Sequence, residues 1–573
     1  YSDPKIIRQV NTQYVPVRVD TDRRPDIEAR YRHGGWPTTS VLLQTGEVLF
    51  QGNFLEPEEL RAVLEESDLY YRQHKNELKN RAAEGWAKLE ASRKVVSPPE
   101  GPVDPGMVDE SLIIMRQRFD PRHGGFHQAP KFFEPDAVAL ALRQYYYTKN
   151  NELRVIAVKT LDAQLGLQDP VWGGFYRYAE RADWTEPHYE KMLDIQARNL
   201  QNYLEAYQVI HDPTHRGVVN KTIKYVTRFL SSPSQAGFYA SQDADARRHP
   251  PSSGYIEGEE YFLLGENRRI ELGLPQVDRT VYTHWNGLMI RSYLEAYRVL
   301  GDSELRAFAL KTLNQLYEER YKSDWGMAHV VRQGKPEGYG LLADQVTFAQ
   351  ALQDAFQTTA EPIYLKRAER LAGDLVKQLE DARGGGFFDR PYDSAAHGLL
   401  KLPHKPLKEN LEASILFSDL FYLTEKPVYR SHAERTLQYV LGVSERLPVA
   451  LAALAVDRFL NYPVHVVIVG SKSDRVAEEL FRRALGLYAP GKVIRFLDPR
   501  TDSLAIGEVT FPRSKTPRAY ICTDRLCSQP IGDPDKLEDN LHQLLAQVAS
   551  ASPPGQESPD IPADLTVAPM VEE

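Results

Sequence analysis

The loop Gly124-Gly125-Phe126 returns along the chain as Gly173-Gly174-Phe175-Tyr176, Gly237-Phe238-Tyr239, Gly326-Met327 and Gly385-Gly386-Phe387-Phe388. Between residues 106 and 460 these loops separate stretches of helical period. Most are roughly 50–90 residues apart, which is room for a helical hairpin with insertions. A hairpin of this kind cannot bury its apolar face alone. It must stack on its neighbours, so the recurrence implies a solenoid or a closed ring.

On the N-terminal side, residues 1–75 read as a small α/β unit. Asp3-Pro4 opens a short helix through Val10, and Tyr14 to Asp20 alternates apolar and polar as a strand does. Arg24 to Tyr31 is helical, with Pro25 in the first turn. Gly34-Gly35-Trp36-Pro37-Thr38 leads into a hairpin of two strands, Ser40 to Gln44 and Val48 to Gly52. Asn53 to Gln73 closes the unit as a helix whose acidic first turn suits the helix dipole. Residues 76–105, charged and then proline-rich, read as a linker. Beyond the repeats, residues 461–548 read as a small α/β element. Its parts are a strand at Val464 to Val469, a helix at Asp474 to Ala484, and short strands at Val493 to Leu497 and Ala519 to Cys522. The tail, 549–573, is rich in proline, serine and acids and is expected to be disordered.

With 573 residues the chain exceeds one ordinary core, and 42% apolar with 26% charged residues places it among globular proteins. The net charge is -9 and lysine and arginine form no stripe, so no nucleic-acid partner is expected. The richest apolar run, Pro448 to Val456, is about half the ~18 residues that a membrane span needs, so no membrane partner is expected either. Two cysteines, Cys522 and Cys527, exclude a disulfide-rich scaffold. They read as reduced thiols, a small disulfide or half of a metal site that lacks its other half. No signal-peptide pattern is present, which makes the cytoplasm the default location. No cofactor and no metal is implied.

Several stretches resemble the spermatogenesis-associated protein 20 family: VPVRVDTDRRPDI (15–27), GGWPTT (34–39), DPRHGGFHQAPKF (120–132), GGFYRY (173–178), WTEPHYEKML (184–193), SQDADA (241–246), WNGLM (285–289) and AYICTDRLC (519–527). The resemblance spans nearly the whole chain. It implies a multidomain fold: an incomplete thioredoxin-like α/β lobe, an all-α (α/α)6 toroid similar to that of N-acylglucosamine 2-epimerase, and a small C-terminal α/β element. Two departures stand out. Members of the family carry a Cys-x-x-Cys just before the helix that opens this chain, and that segment is absent here. Their Pro-Ser-Gly-Asn-Ser segment corresponds to Leu407-Lys408-Glu409-Asn410-Leu411-Glu412, in which only Asn410 matches.

The resemblance also places Pro37 at the cis-proline of a thioredoxin-like lobe, where extended partners are presented with backbone groups. That makes the lobe a surface for a protein partner, although thiol exchange requires a thiolate. Thr185 reads as a helix N-cap with Pro187 in the first turn, which puts His188, Lys191 and Met192 on one face. There His188 reads as a neutral base or as a structural hydrogen-bonding group, and Glu190 lies on another face. Asp243 and Asp245 read as paired acids, a cation site or turn formers. Trp184 and Trp285 read as platforms for a sugar ring, Asn286 as a hydroxyl ligand, Lys131, Arg177 and Tyr178 as holders of an anionic group, and Lys191 as a further substrate-binding residue. Asp344 reads as an N-cap. The expected ligand is a small molecule, a sugar, in the toroid cleft, turned over by an epimerase- or glycosidase-like enzyme. The alternatives are a redox or protein-quality-control protein and a non-catalytic binding module.

Overall fold

The computed structural model describes residues 1–92, 101–232, 236–247, 254–443, 447–507 and 509–551. They form two units, one ending at Asn461 and one beginning at Tyr462.

The first unit opens with α1 (Pro4–Gln13), whose start is capped by Asp3 accepting from the Lys5 and Ile6 amides. Then follow α2 (Pro25–Tyr31), an antiparallel hairpin of β1 (Thr39–Leu42) and β2 (Val48–Gly52), and α3 (Pro57–Ser92). Ile6, Val41, Leu60 and Leu64 make the small core of this lobe. Two expectations are corrected here. The stretch 15–20 is extended but pairs with no strand among the described residues, so its alternation points Val15 and Val17 outward into solvent. The closing helix also runs past Gln73, with non-helical backbone only at His74, because residues 75–92 are good helix formers rather than linker. Residues 93–100 of the expected linker, and the tail from 552, lie outside the described residues.

The repeats follow as α4 (Gly106–Arg118), α5 (Pro135–Thr148), α6 (Asn151–Gln164), α7 (Leu193–Ile210), α8 (Pro213–Phe229), the short α9 (Gly258–Phe262) and α10 (Glu266–Leu272), α11 (Thr283–Leu300), α12 (Ser303–Arg320), α13 (Leu342–Thr359), α14 (Pro362–Leu379), α15 (Leu407–Thr424), α16 (Pro427–Gly442) and α17 (Val449–Leu460). Six of them form an inner ring. α5 packs on α7, α7 on α11, α11 on α13, α13 on α15, α15 on α17, and α17 returns onto α5. Each inner helix carries an outer partner: α6, α8, α12, α14 and α16 follow theirs in sequence, and α4 packs on α17. The ring is therefore a closed (α/α)6 toroid.

The sequence of each helix matches its layer. Outer α14 buries one stripe, Tyr364, Ala368, Leu371, Ala372, Leu375 and Leu379, at helical spacing. Inner α13 is buried nearly all round, polar Gln345, Thr347, Gln350 and Gln353 included. Inner helices α5, α7, α11, α13 and α15 end on a left-handed residue (Lys149, His211, Gly301, Ala360, Glu425), and the outer helix starts two residues later. This repeated short hairpin sets the six pairs side by side.

The second unit has a three-stranded sheet. Its middle strand, His465–Val469, pairs in parallel with Val493–Leu497 and antiparallel with Arg518–Cys522. The parallel pair is joined through α18 (Arg475–Gly486), and α19 (Leu537–Ala551) follows the sheet. Cys522 and Cys527 form a disulfide across a tight hairpin, rather than standing as reduced thiols. Among the described residues no helix is long and apolar enough to cross a membrane.

Candidate active-site chamber

The glycine-aromatic loops are built as one device. In three of them an aspartate stands four residues before the first glycine. Asp120, Asp169 and Asp381 each donate their amide to the carbonyl of the second glycine and accept at their own carbonyl from the first. A lysine then closes the loop. Lys131 reaches Asp120 at 2.8 Å and the Gly124 carbonyl at 3.0 Å. Lys191 reaches Asp169 at 2.7 Å and Gly173 at 2.9 Å. Lys405 reaches Asp381 at 2.6 Å and Gly385 at 2.7 Å. Both glycines of each pair have positive φ, and a Cβ on the first would lie 2.4–2.7 Å from a carbonyl of the following outer helix, so only glycine fits.

A carboxamide on the next inner helix holds the residue after the glycines. Gln196 brackets Phe175, Asn286 brackets Phe238, Gln345 brackets Met327 and Asn410 brackets Phe387, each accepting from the backbone N–H and donating to the C=O. Each also donates to the carbonyl of the residue that caps its own helix.

These contacts correct several site assignments. Lys131 and Lys191 are fully buried with their ammonium groups satisfied, so they do not hold a ligand. Burial lowers the Lys191 pKa to about 8, and Asp169 offsets part of that. Asn286 is spent on the Phe238 backbone. Trp184 is buried, lies where a Cβ on Gly125 would be and donates to the His123 carbonyl, so it is no sugar platform. No helix begins at Thr185. Pro187–His188 is a two-residue strand against Tyr178–Ala179, and α7 starts only at Leu193. The first helical turn expected to make His188 a neutral base is therefore absent. Its ring stacks on Tyr178 at 5.0 Å, while its Nδ1 is buried with no hydrogen-bond partner among the described residues. Asp245 accepts from the Gly258 amide, and exposed Asp243 from Ala244 beside it, so both serve local turns. Asp344 is not the cap of α13; Leu341 is.

The bore of the ring assembles a different set of groups. Arg198 on α7 and Glu412 on α15 belong to opposite members of the ring, and they meet at 2.8 Å, crossing the bore one turn below its mouth. Asp136 on α5 stands 3.9 Å from the same guanidinium. Burial alone would raise the Glu412 pKa, but Arg198, then Lys408 and His284, bring it down to about 2. Above this floor the first turns of the inner helices form the walls. The backbone N–H of His284 donates to Asp344 at 2.8 Å, and the ring Nε2 is buried with no hydrogen-bond partner among the described residues. Burial lowers the His284 pKa to about 4 against the opposing pull of Glu412 and Asp344, so the imidazole is neutral. Glu409 is shifted the other way, upward, by burial and then by Glu412. Trp285 is half-buried, edge-on to Tyr282 at 5.2 Å.

The N-terminal lobe roofs the chamber. His329 places Nδ1 2.9 Å from Asp344 and donates from Nε2 to the Asp22 carbonyl at 2.7 Å. Both nitrogens face acceptors, and although burial opposes it, Asp344 and the Asp22 carbonyl raise the His329 pKa. The Asp22 carboxyl is still open to solvent. Desolvation between lobe and toroid, and then Asp20, Glu28, Asp194 and Glu190, push it up to about 6. At the rim Arg177 pairs with Glu190 at 2.7 Å, and Trp36 lies between the Arg32 and Arg177 guanidinium groups. The Trp36–Pro37 bond beside them is cis. Arg30 forks onto Asp389 at 2.6 and 3.0 Å and onto the Leu402 carbonyl at 2.7 Å.

Arg198, Glu412, Asp22 and His329 escaped the sequence reading. A usable signal existed for two of them. Arg198 and Glu412 each stand two residues past a bracketing carboxamide, Gln196 and Asn410, which fixes the side facing the bore.

Fold and chamber together define a thioredoxin-like lobe seated on a closed (α/α)6 toroid. Residues 1–90 match the family model Thioredox_DsbH, described as "Protein of unknown function, DUF255". The chain is similar to spermatogenesis-associated protein 20 of Homo sapiens, with 25% identity covering 95% of this chain and 85% of that protein. The mouse protein of the same name is 24% identical, with 95% and 84% covered. Among solved structures, the cellobiose 2-epimerase from Spirochaeta thermophila superposes with a TM-score of 0.48 at 15% identity, covering 62% of this chain and 94% of that one. A D-mannose isomerase gives 0.46 at 12% identity, covering 62% and 96%.

Proposed function

We propose that the chamber is a carbohydrate-active site that exchanges a proton next to the carbonyl of an open-chain sugar, as an epimerase or isomerase does. The observation that carries this reading is His284: an imidazole whose buried Nε2 has no hydrogen-bond partner among the described residues, on the wall above the Arg198–Glu412 floor, with its pKa held low by burial. A neutral imidazole accepts the C–H proton, and Glu409, whose raised pKa keeps its proton longer, supplies one. Arg198 and Glu412 orient hydroxyl groups from below, and Trp285 offers an apolar face. Arg177, Glu190 and His188 at the rim select what enters. A glycosidase needs two carboxyl groups free to act on the glycosidic oxygen. Glu412 is tied to Arg198, which favours the epimerase reading.

The test is incubation of the full chain in D2O with glucose, mannose, N-acetylglucosamine and cellobiose, followed by NMR of the C2 position. Deuterium enters C2 of at least one sugar, and His284→Gln lowers the rate by on the order of 10²-fold or more. No incorporation with any of the four sinks the reading and leaves a toroid that only binds.

A further inference from the structure

A second cavity lies outside the bore, against α12 and the strand Gly326–Arg332. It has a volume of about 610 Å³, within the ordinary range for a small-molecule site. Its lining is unusual in charge. Four arginines, Arg23, Arg279, Arg320 and Arg332, face two carboxylates, Asp278 and Glu319. The guanidinium groups outnumber the carboxylates two to one, with Arg23 also paired to Asp20 at 3.2 Å. Asp278 is occupied by the Thr280 amide at 2.9 Å and hydroxyl at 2.7 Å. Glu319 stands 3.6 Å from Arg320, beyond hydrogen-bond length.

Arg320 is the built part of the site. It is 3% exposed, and its Nη1 is anchored to the Val281 carbonyl at 2.7 Å and the Thr283 hydroxyl at 3.0 Å. Its Nε is buried, makes no hydrogen bond within 3.5 Å among the described residues, and faces only the Glu319 carboxylate, an ion pair at 3.6 Å. A buried guanidinium with an unmet donor is costly unless an acceptor arrives. Among the described residues Arg279 has no ion pair and rests over the Tyr239 ring, so its donors are also available. Arg332 is exposed and only loosely paired with Glu337, at 3.5 Å. Three guanidinium forks and a threonine at one cavity match an oxyanion with several acceptor oxygens.

We propose that this cavity is an oxyanion site that takes a phosphate group, either free phosphate or the phosphate of a small sugar. The proposal is independent of the chemistry proposed for the bore.

The test is isothermal titration of the full chain at constant ionic strength with inorganic phosphate, glucose 6-phosphate and glucose. Phosphate, glucose 6-phosphate or both bind saturably with a Kd of about 1 mM or tighter, and glucose does not bind here. Whichever is tighter identifies the source of the group. Arg279→Gln and Arg332→Gln, both at exposed positions and so compatible with folding, each weaken binding by about tenfold, while Glu319→Gln tightens it. No saturable heat with either anion, or equal affinity in wild type and both arginine variants, overturns the proposal.

Discussion

Arg198 and Glu412 are the residues on which the bore depends. Their side chains are 17% and 10% exposed, so each charge has left most of its water and is compensated chiefly by the other. Glu412→Ala leaves the guanidinium with Asp136, at 3.9 Å, as its remaining ion-pair partner among the described residues, and we expect a loss of about 3–5 kcal/mol by urea denaturation. Replacing both by methionine costs far less, because no buried charge is stranded. A single-variant loss below about 1 kcal/mol would show that water already reaches the pair. The roof gives a second prediction at this scale. Asp22 has a folded pKa of about 6, above its ordinary 3.8, and His329 is also raised above its ordinary 6.5. A raised folded pKa contributes stability that is present below the unfolded value and is lost as pH rises through the folded one. Stability should therefore fall from about pH 4 to 6 through Asp22, and again above about pH 6.5 through His329. Denaturation curves across pH should show Asp22→Asn flattening the first step and His329→Gln the second; unchanged profiles would remove both groups from the roof.

At the scale of elements, the toroid is held by a repeated bracket rather than by helix propensity. Each bracketing carboxamide satisfies the N–H and C=O of a buried residue after the glycines, and the Met327 carbonyl also accepts from the Gly340 amide. Asn286→Ala strands both groups of Phe238, and we expect about 2–4 kcal/mol of destabilisation, with Asn286→Asp recovering only the acceptor half. Thermal unfolding of the two variants beside wild type decides this. The same device explains what the sequence disclosed. The Gly-Gly-Phe recurrence announced the hairpins because glycine at positive φ is demanded in each of them. It could not say that Lys131, Lys191 and Asn286 belong to the loops themselves. A lysine beside a glycine loop looks the same whether it awaits an anion or grips an aspartate eleven or twenty-two residues earlier in the chain. The stretch Thr185 to Met192 was misread for a related reason: capping residues were present, but the backbone is spent on short bridges to Tyr178–Ala179 and Ser241–Gln242. The chamber stayed hidden because Arg198 and Glu412 are 214 residues apart and meet only when the ring closes.

At the scale of the molecule, the question is why a small lobe is retained on a ring that closes without it. The lobe buries little of its own, with four residues in its core and Val15, Val17, Trp36 and Phe54 exposed. Its order must come largely from the toroid. The contact best suited to supply it is Arg30, 5% exposed, which forks onto Asp389 and caps the Leu402 carbonyl, with the Tyr31 hydroxyl accepting from the Leu399 amide nearby. A bidentate, desolvated pair of this kind is worth far more than a surface one. Arg30→Met keeps the length of the side chain and removes both forks. It strips the Asp389 carboxylate of its Arg30 partner, and we expect about 2–3 kcal/mol to be lost from the lobe–toroid contact rather than from the ring. Hydrogen exchange separates the two. Amides of α1, α2 and the β1–β2 hairpin should exchange on the order of 30-fold faster in the variant, while those of α11, α13 and α15 keep their protection, since local opening tracks local free energy. If the inner helices lose protection in step with the lobe, then the lobe is part of the ring's own folding unit, and the roof over Asp344 and His284 cannot be lifted without melting the walls beneath it.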